Sequence, residues 1–145
     1  MPPTEAPTRA DYPVMYPLTT RWSDNDIYGH VNNVVYYSYF DTVANRYLIE
    51  EGDMDIADSS IVGYVVSSDC QYLSPITYPE AIKAGVRVEK LGNSSVQYGI
   101  GIFREGEDTP AAFGHFVHVF VERAANKSVP IPAKLRIALQ RILVE

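Results

Sequence analysis

The stretch Asn32-Asn33-Val34-Val35-Tyr36-Tyr37-Ser38-Tyr39-Phe40-Asp41-Thr42-Val43-Ala44-Asn45-Arg46-Tyr47-Leu48-Ile49-Glu50-Glu51-Gly52 decides the fold. Tyr36, Phe40, Val43 and Tyr47 recur at steps of three and four, with Val35, Tyr39, Ala44 and Leu48 beside them. That period predicts one long helix, from about Asn33 to Glu51. Asn32 is suited to cap its first turn, and Gly52 to follow its last. The apolar stripe is wide, so a largely enclosed helix is expected. Ser38, Asp41, Thr42, Asn45 and Arg46 leave one narrower face for water or a partner.

Outward from this helix the chain reads as strands. Val14–Trp22 comes first, followed by the polar stretch Ser23-Asp24-Asn25-Asp26 and Gly29. After the helix, Ile61–Leu73 is rich in Val and Tyr and ends at Ser74-Pro75. Ala81–Leu91 alternates Ile82, Ala84, Val86 and Val88 against Lys83, Gly85, Arg87 and Glu89, which is a strand period. Gly92-Asn93 is a turn signal. Ser94–Arg104 alternates again, with Gly99 and Gly101 on the face where another group can approach closely. Ala111–Glu122 is apolar on both faces, which suits a central strand. Pro130-Ile131-Pro132 opens a short helix, Ala133–Leu143. Four strands in hairpin succession imply an antiparallel sheet. The expected class is α+β, a sheet of about five strands wrapped round one long central helix.

The 145 residues suit one domain, and 46% hydrophobic content allows a substantial core. Residues 1–12 read as a flexible leader and 13–145 as the domain, because Met1–Pro13 holds four prolines and few apolar residues. A net charge of −6 argues against general nucleic-acid binding, which needs a basic face. No segment approaches the ~20 apolar residues that span a bilayer, so no membrane partner is expected. Cys70 is the only cysteine. With no signal-peptide pattern, a reducing, cytoplasmic setting is expected. Its place in mid-strand suits packing better than nucleophilic work. His115 and His118 complete no metal set, so no metal is expected.

The chemistry concentrates in Arg21-Trp22-Ser23-Asp24-Asn25-Asp26-Ile27-Tyr28-Gly29-His30-Val31-Asn32-Asn33. Two carboxylates, an imidazole and a glycine precede a helix N-terminus. Unpaired N–H groups there can polarise a carbonyl and hold the oxyanion that forms. Gly29 would let the carbonyl approach, and a nearby carboxylate could act as base or nucleophile. The plainer reading stands beside this one: Asp and Asn before a helix serve as turn and cap residues, and His30 packs. Asp24 fits the plainer reading best.

This segment, followed by Val-Val-Tyr-Tyr-Ser-Tyr-Phe-Asp, resembles the signature of the 4-hydroxybenzoyl-CoA thioesterase family of hotdog-fold proteins. Asp26 and Gly29 fall on the family's Asp and Gly. Tyr72-Leu73-Ser74-Pro75, the run Val88–Ser95 and His118-Val119-Phe120-Val121 resemble its later strands, so the likeness covers about residues 14–143. The resemblance implies a hotdog fold, and a homodimer or homotetramer with active sites shared between subunits. It implies hydrolysis of acyl-CoA thioesters without a cofactor, CoA being part of the substrate. It makes Asp26 the catalytic carboxylate and puts oxyanion donors at the backbone near Asn32 and Asn33. Gly29 gives access and His30 is secondary. The Gly-His-Val-Asn-Asn form differs from the aryl-CoA enzyme's Gly-Ile-Val and is nearer to fatty acyl-CoA members. Lys90, Ser94 and Ser95 resemble the loop on the CoA side, with Arg87 and Arg104 on neighbouring strands. Two other readings remain open: a hotdog enoyl-thioester hydratase or dehydratase, and a hotdog protein that binds acyl-CoA without turnover.

Overall fold

Asn32 caps the long helix. Its side-chain oxygen accepts the Val34 N–H at 2.9 Å while its own backbone stays extended. The helix, α1, runs Asn33–Glu50 and buries Tyr36, Tyr39, Phe40, Val43, Ala44, Tyr47 and Leu48. Its other side is open: Val34, Ser38, Asp41, Thr42, Arg46 and Ile49 are exposed. The helix is therefore covered on one face only, less enclosed than its wide stripe implies. Gly52 follows α1 for a steric reason. A Cβ there would meet Leu135 Cδ2 at 2.4 Å and the Leu48 carbonyl at 2.7 Å. The positive φ of this turn belongs to Asp53 instead, at 55°.

The computed structural model describes residues 6–144. Its strands are β1 (Val14–Thr19), β2 (Ile61–Tyr72), β3 (Ala81–Leu91), β4 (Ser95–Arg104), β5 (Ala112–Glu122) and a short β6 (Lys127–Ser128). A second helix, α2, spans Ala133–Gln140. The sheet order is β1-β3-β4-β5-β2, with every neighbouring pair antiparallel, and β6 pairs the end of β5. Of the four strands expected in succession, only β3, β4 and β5 follow one another as hairpins. The expected succession of four fails at β2, which lies at the far edge beside β5 while β1 pairs β3. The connection after β2 is tied down on the way: Leu73 and Ser74 donate to the Ala111 carbonyl, and Ile76 accepts from Val31 at 2.7 Å.

One sheet face carries Ile82, Ala84, Val86, Val88, Val96, Tyr98, Ile100, Ile102, Phe116 and Phe120, and these join the buried side of α1 in one core. Burying a large apolar side chain is worth roughly 1.5–3 kcal/mol, so this layer is the main stabilising term. The other face carries a glycine notch. Gly85 pairs with Gly101, and the Tyr12 ring fills the space above both. A Cβ at Gly85 would lie 2.5 Å from Tyr12 Cγ. Tyr12 is buried and meets Phe103 edge-on. Arg9 donates to the Arg104 carbonyl at 2.9 Å and stacks over Phe103. The flexible-leader expectation is thus corrected for residues 6–12, which dock on the sheet. Residues 1–5 lie outside the described residues.

Candidate active site

Asp24 organises the segment before α1. It is 1% exposed, and its carboxylate accepts from Arg21 N at 2.9 Å, Arg21 Nε at 3.0 Å and Tyr39 Oη at 2.7 Å. Burial pushes its pKa up, but the hydrogen bonds from Tyr39 and Arg21 outweigh that and hold it below the usual carboxylate range. The Asp24 carbonyl accepts the Asn32 N–H at 2.9 Å. The loop therefore folds back on itself and lands at the helix start. Asp24 is the structural carboxylate its turn position suggested, although its burial could not be read from the sequence.

Between these anchors lies a tight turn. Asp26 N donates to the His30 carbonyl and Gly29 N to the Asp26 carbonyl, both at 3.0 Å. Gly29 has φ +84°, a conformation that favours glycine, and open space around its Cα. Asp26 is half-buried. Its Oδ1 accepts from Tyr28 N at 2.9 Å and its Oδ2 from Asn32 Nδ2 at 3.1 Å. Ile27 and Tyr28 beside it are 94% and 81% exposed, so the turn offers an apolar shelf to whatever docks there.

Two clefts flank this loop. One, of about 390 Å³, is lined by Trp22, Ser23, Asn25, Asp26, Ile27 and Gly29. The other, of about 300 Å³, includes His30, Asn33, Tyr36, Tyr72 and Leu73. Asp26 and Gly29 thus share one cleft, His30 and Asn33 the other. The link between them is Asn32, and the His30 ring makes no hydrogen bond among the described residues. Burial pushes the Tyr36 phenol up to about 12, so it stands in its cleft as a neutral hydroxyl at pH 7.

The amides of the first helical turn are unequal. Asn32 N is taken by Asp24, Val34 N by the Asn32 cap and Val35 N by the Asn32 carbonyl. Asn33 N–H meets no acceptor among the described residues. It sits at the positive end of an 18-residue helix. Of the donors expected near Asn32 and Asn33, only the second is free. The strand β2 reaches this point as well, where Tyr72 Oη donates to the Asn33 carbonyl at 3.1 Å.

Lys90, Ser94 and Ser95 line neither cleft. They surround the β3–β4 turn, Lys90 near the end of β3 and Ser95 at the start of β4; there Gly92 N donates to the Ser95 carbonyl and Arg136 of α2 donates to the carbonyls of Gly92 and Asn93. Arg87 and Arg104 are engaged with Glu89 and Glu80 at 2.9 and 2.7 Å. The reading of the residues missed the Asn32–Asp26 and Tyr39–Asp24 bonds. A signal existed for the first: an N-cap amide six residues after a carboxylate, with a glycine turn between.

Residues 20–139 match the thioesterase-like superfamily. The chain belongs to that superfamily. It is 30% identical over 113 residues to the uncharacterized protein YsmA of Bacillus subtilis (strain 168), covering 77% of this chain and 75% of that one. The crystal structure of the PA5185 protein from Pseudomonas aeruginosa PAO1 shares 51% identity and a TM-score of 0.95, over 97% of this chain and 99% of that chain. A gentisyl-coenzyme A thioesterase superposes with a TM-score of 0.78 at 23% identity, over 87% and 99%, which speaks to fold alone. Superfamily and fold agree with the hotdog-fold thioesterase that the resemblance of Asp26–Gly29 implied. Among the described residues no helix is long and apolar enough to cross a membrane.

Proposed function

We propose that this protein hydrolyses acyl-CoA thioesters to a free acid and CoA. Asp26 acts as nucleophile, or as general base on the attacking water. The Asn33 N–H at the start of α1 takes the oxyanion, and Gly29 leaves room for the substrate. His30 is an auxiliary donor in the cleft beside Asn33. The observation that carries this reading is a solvent-accessible carboxylate held by Asn32, whose next neighbour along the chain offers an amide with no acceptor among the described residues. One such donor is worth ~10²–10³ in rate elsewhere.

The sheet is read as a hotdog wrap, with α1 as its central helix. Copies associate along β2, an edge strand whose one sheet neighbour is β5. Tyr64, Val65, Val66, Tyr72 and Leu73 stand there 44–59% exposed, which a lone chain would leave as a template for aggregation. Tyr72 and Leu73 also line the Asn33 cleft, so pairing along this edge would put that cleft at a subunit boundary. In such a homodimer or tetramer the CoA phosphates meet Lys90, Ser94 and Ser95. An exposed Lys90 on a turn held by Arg136 supports this. A lone cysteine and a CoA substrate fit the cytoplasm.

The test is thiol release from a panel of acyl-CoAs by wild type, Asp26→Asn and Asp26→Ala. Loss of at least ~10²-fold in kcat/KM by both folded variants is expected. Near-wild-type activity of Asp26→Ala would sink the assignment.

A further inference from the structure

Asn32 uses both ends of one amide. Its Oδ1 accepts from Val34 N at 2.9 Å and its Nδ2 donates to Asp26 Oδ2 at 3.1 Å. The two partners determine which way the amide faces. The Val34 N–H needs the oxygen and a carboxylate needs the NH₂, so the flipped amide would set like against like at both ends. The backbone of Asn32 is held as well: its N–H donates to the Asp24 carbonyl, and its own carbonyl accepts from Val35. The residue therefore has little freedom, and the next amide along the chain is the free N–H of Asn33.

We propose that Asn32 is a positioning residue that fixes the Asp26 carboxylate relative to the head of α1, by capping α1 with one end of its amide and holding Asp26 with the other. This rests on Asp26 being the catalytic carboxylate. The physical reason is geometric. A carboxylate on a solvent-facing turn samples several rotamers, and Tyr28 N fixes only its Oδ1. A second bond from Asn32 leaves the carboxylate one orientation, referenced to the helix that carries the oxyanion donor. Losing such a reference costs roughly 10- to 100-fold in rate through misplacement of the reacting group.

Capping and positioning separate cleanly by substitution. Aspartate and serine both cap helices well, so Asn32→Asp and Asn32→Ser keep an acceptor for Val34 N. Neither offers Asp26 an N–H donor, and Asn32→Asp adds a like charge beside it. The experiment compares wild type, Asn32→Asp, Asn32→Ser and Asp26→Ala by Tm and by the separate kcat and KM on the acyl-CoA turned over fastest. Asn32→Asp is expected to keep the wild-type Tm and lose roughly 10- to 100-fold in kcat with KM little changed. Asn32→Ser is expected to lose a similar factor in kcat, again with KM little changed. If Asn32→Asp restores both Tm and kcat relative to Asn32→Ser, Asn32 is only a cap and the proposal is overturned. A wild-type kcat in both variants, with any loss confined to KM, overturns it equally. Full activity in Asp26→Ala would instead remove the catalytic reading itself, an outcome distinct from the other two.

Discussion

Replacing His118 with phenylalanine should remove a pH dependence of stability that the wild-type protein carries. The imidazole is 1% exposed, among Tyr98, Phe116 and Phe120 with ring centroids 5.2–6.2 Å away. Its Nδ1 lies 3.2 Å from Tyr98 Oη, and its Nε2 is buried with no partner among the described residues. Burial lowers its pKa from the ordinary 6.5 to about 4. The unfolded chain therefore takes up a proton below pH 6.5 that the folded chain refuses until about pH 4. Stability is unaffected by this group above pH 6.5, falls as the pH drops from there, and levels off below pH 4. At 1.36 kcal/mol per pH unit the full loss is about 3 kcal/mol, most of it reached by pH 4.5. Urea denaturation at pH 7.5, 6.0, 5.0 and 4.5 measures it as the difference between wild type and His118→Phe. At pH 7.5 the variant should itself lose about 1–3 kcal/mol, because the Tyr98 hydroxyl is left unpaired. The double variant His118→Phe/Tyr98→Phe removes both polar groups and should regain most of that loss. An acid loss of stability as steep in both variants as in wild type would refute the reasoning.

Two further expectations concern packing around the site. Tyr39→Phe removes a 2.7 Å hydrogen bond to the buried Asp24 carboxylate and should cost roughly 1.5–3 kcal/mol at pH 7, read by chemical denaturation. Asp24 has a lowered folded pKa, so its contribution is present above the ordinary carboxylate value and lost as the pH falls through the folded one. The Tyr39→Phe deficit should accordingly shrink in strong acid. Tyr12→Ala empties the notch over Gly85 and Gly101 and should cost about 3–5 kcal/mol, with proteolysis then cutting near the N-terminus first.

Legibility in the sequence followed the range of the interactions involved. The start of α1 at Asn33, its cap at Asn32 and the bounds of β3 at Ala81–Leu91 match the reading of the chain, because caps and side-chain periods act within a few residues. The Gly92-Asn93 turn is found where expected for the same reason. Asp26 was singled out by the family resemblance and not by its place in the segment, where a turn carboxylate is as natural a reading.

The remainder depended on contacts between distant segments. Richness in Val and Tyr marks β2 as a strand but not which strand it joins, so its place beside β5 was invisible. Proline-rich residues 6–12 looked loose, and only the glycine notch on β3 and β4 gives Tyr12 somewhere to sit. Asp24 and Asp26 look alike in a polar loop. Tyr39, fifteen residues on, buries the first. The turn at Gly29 leaves the second half-open and within 3.1 Å of the Asn32 amide. By itself the sequence determined the local elements, because the free energies of caps and side-chain periods are local. The tertiary structure decided that Asn32 N is taken, because the folding back of the loop delivers the Asp24 carbonyl to it; the Asn32 cap takes Val34 N and Val35 N locally, and Asn33 N–H is left without an acceptor among the described residues.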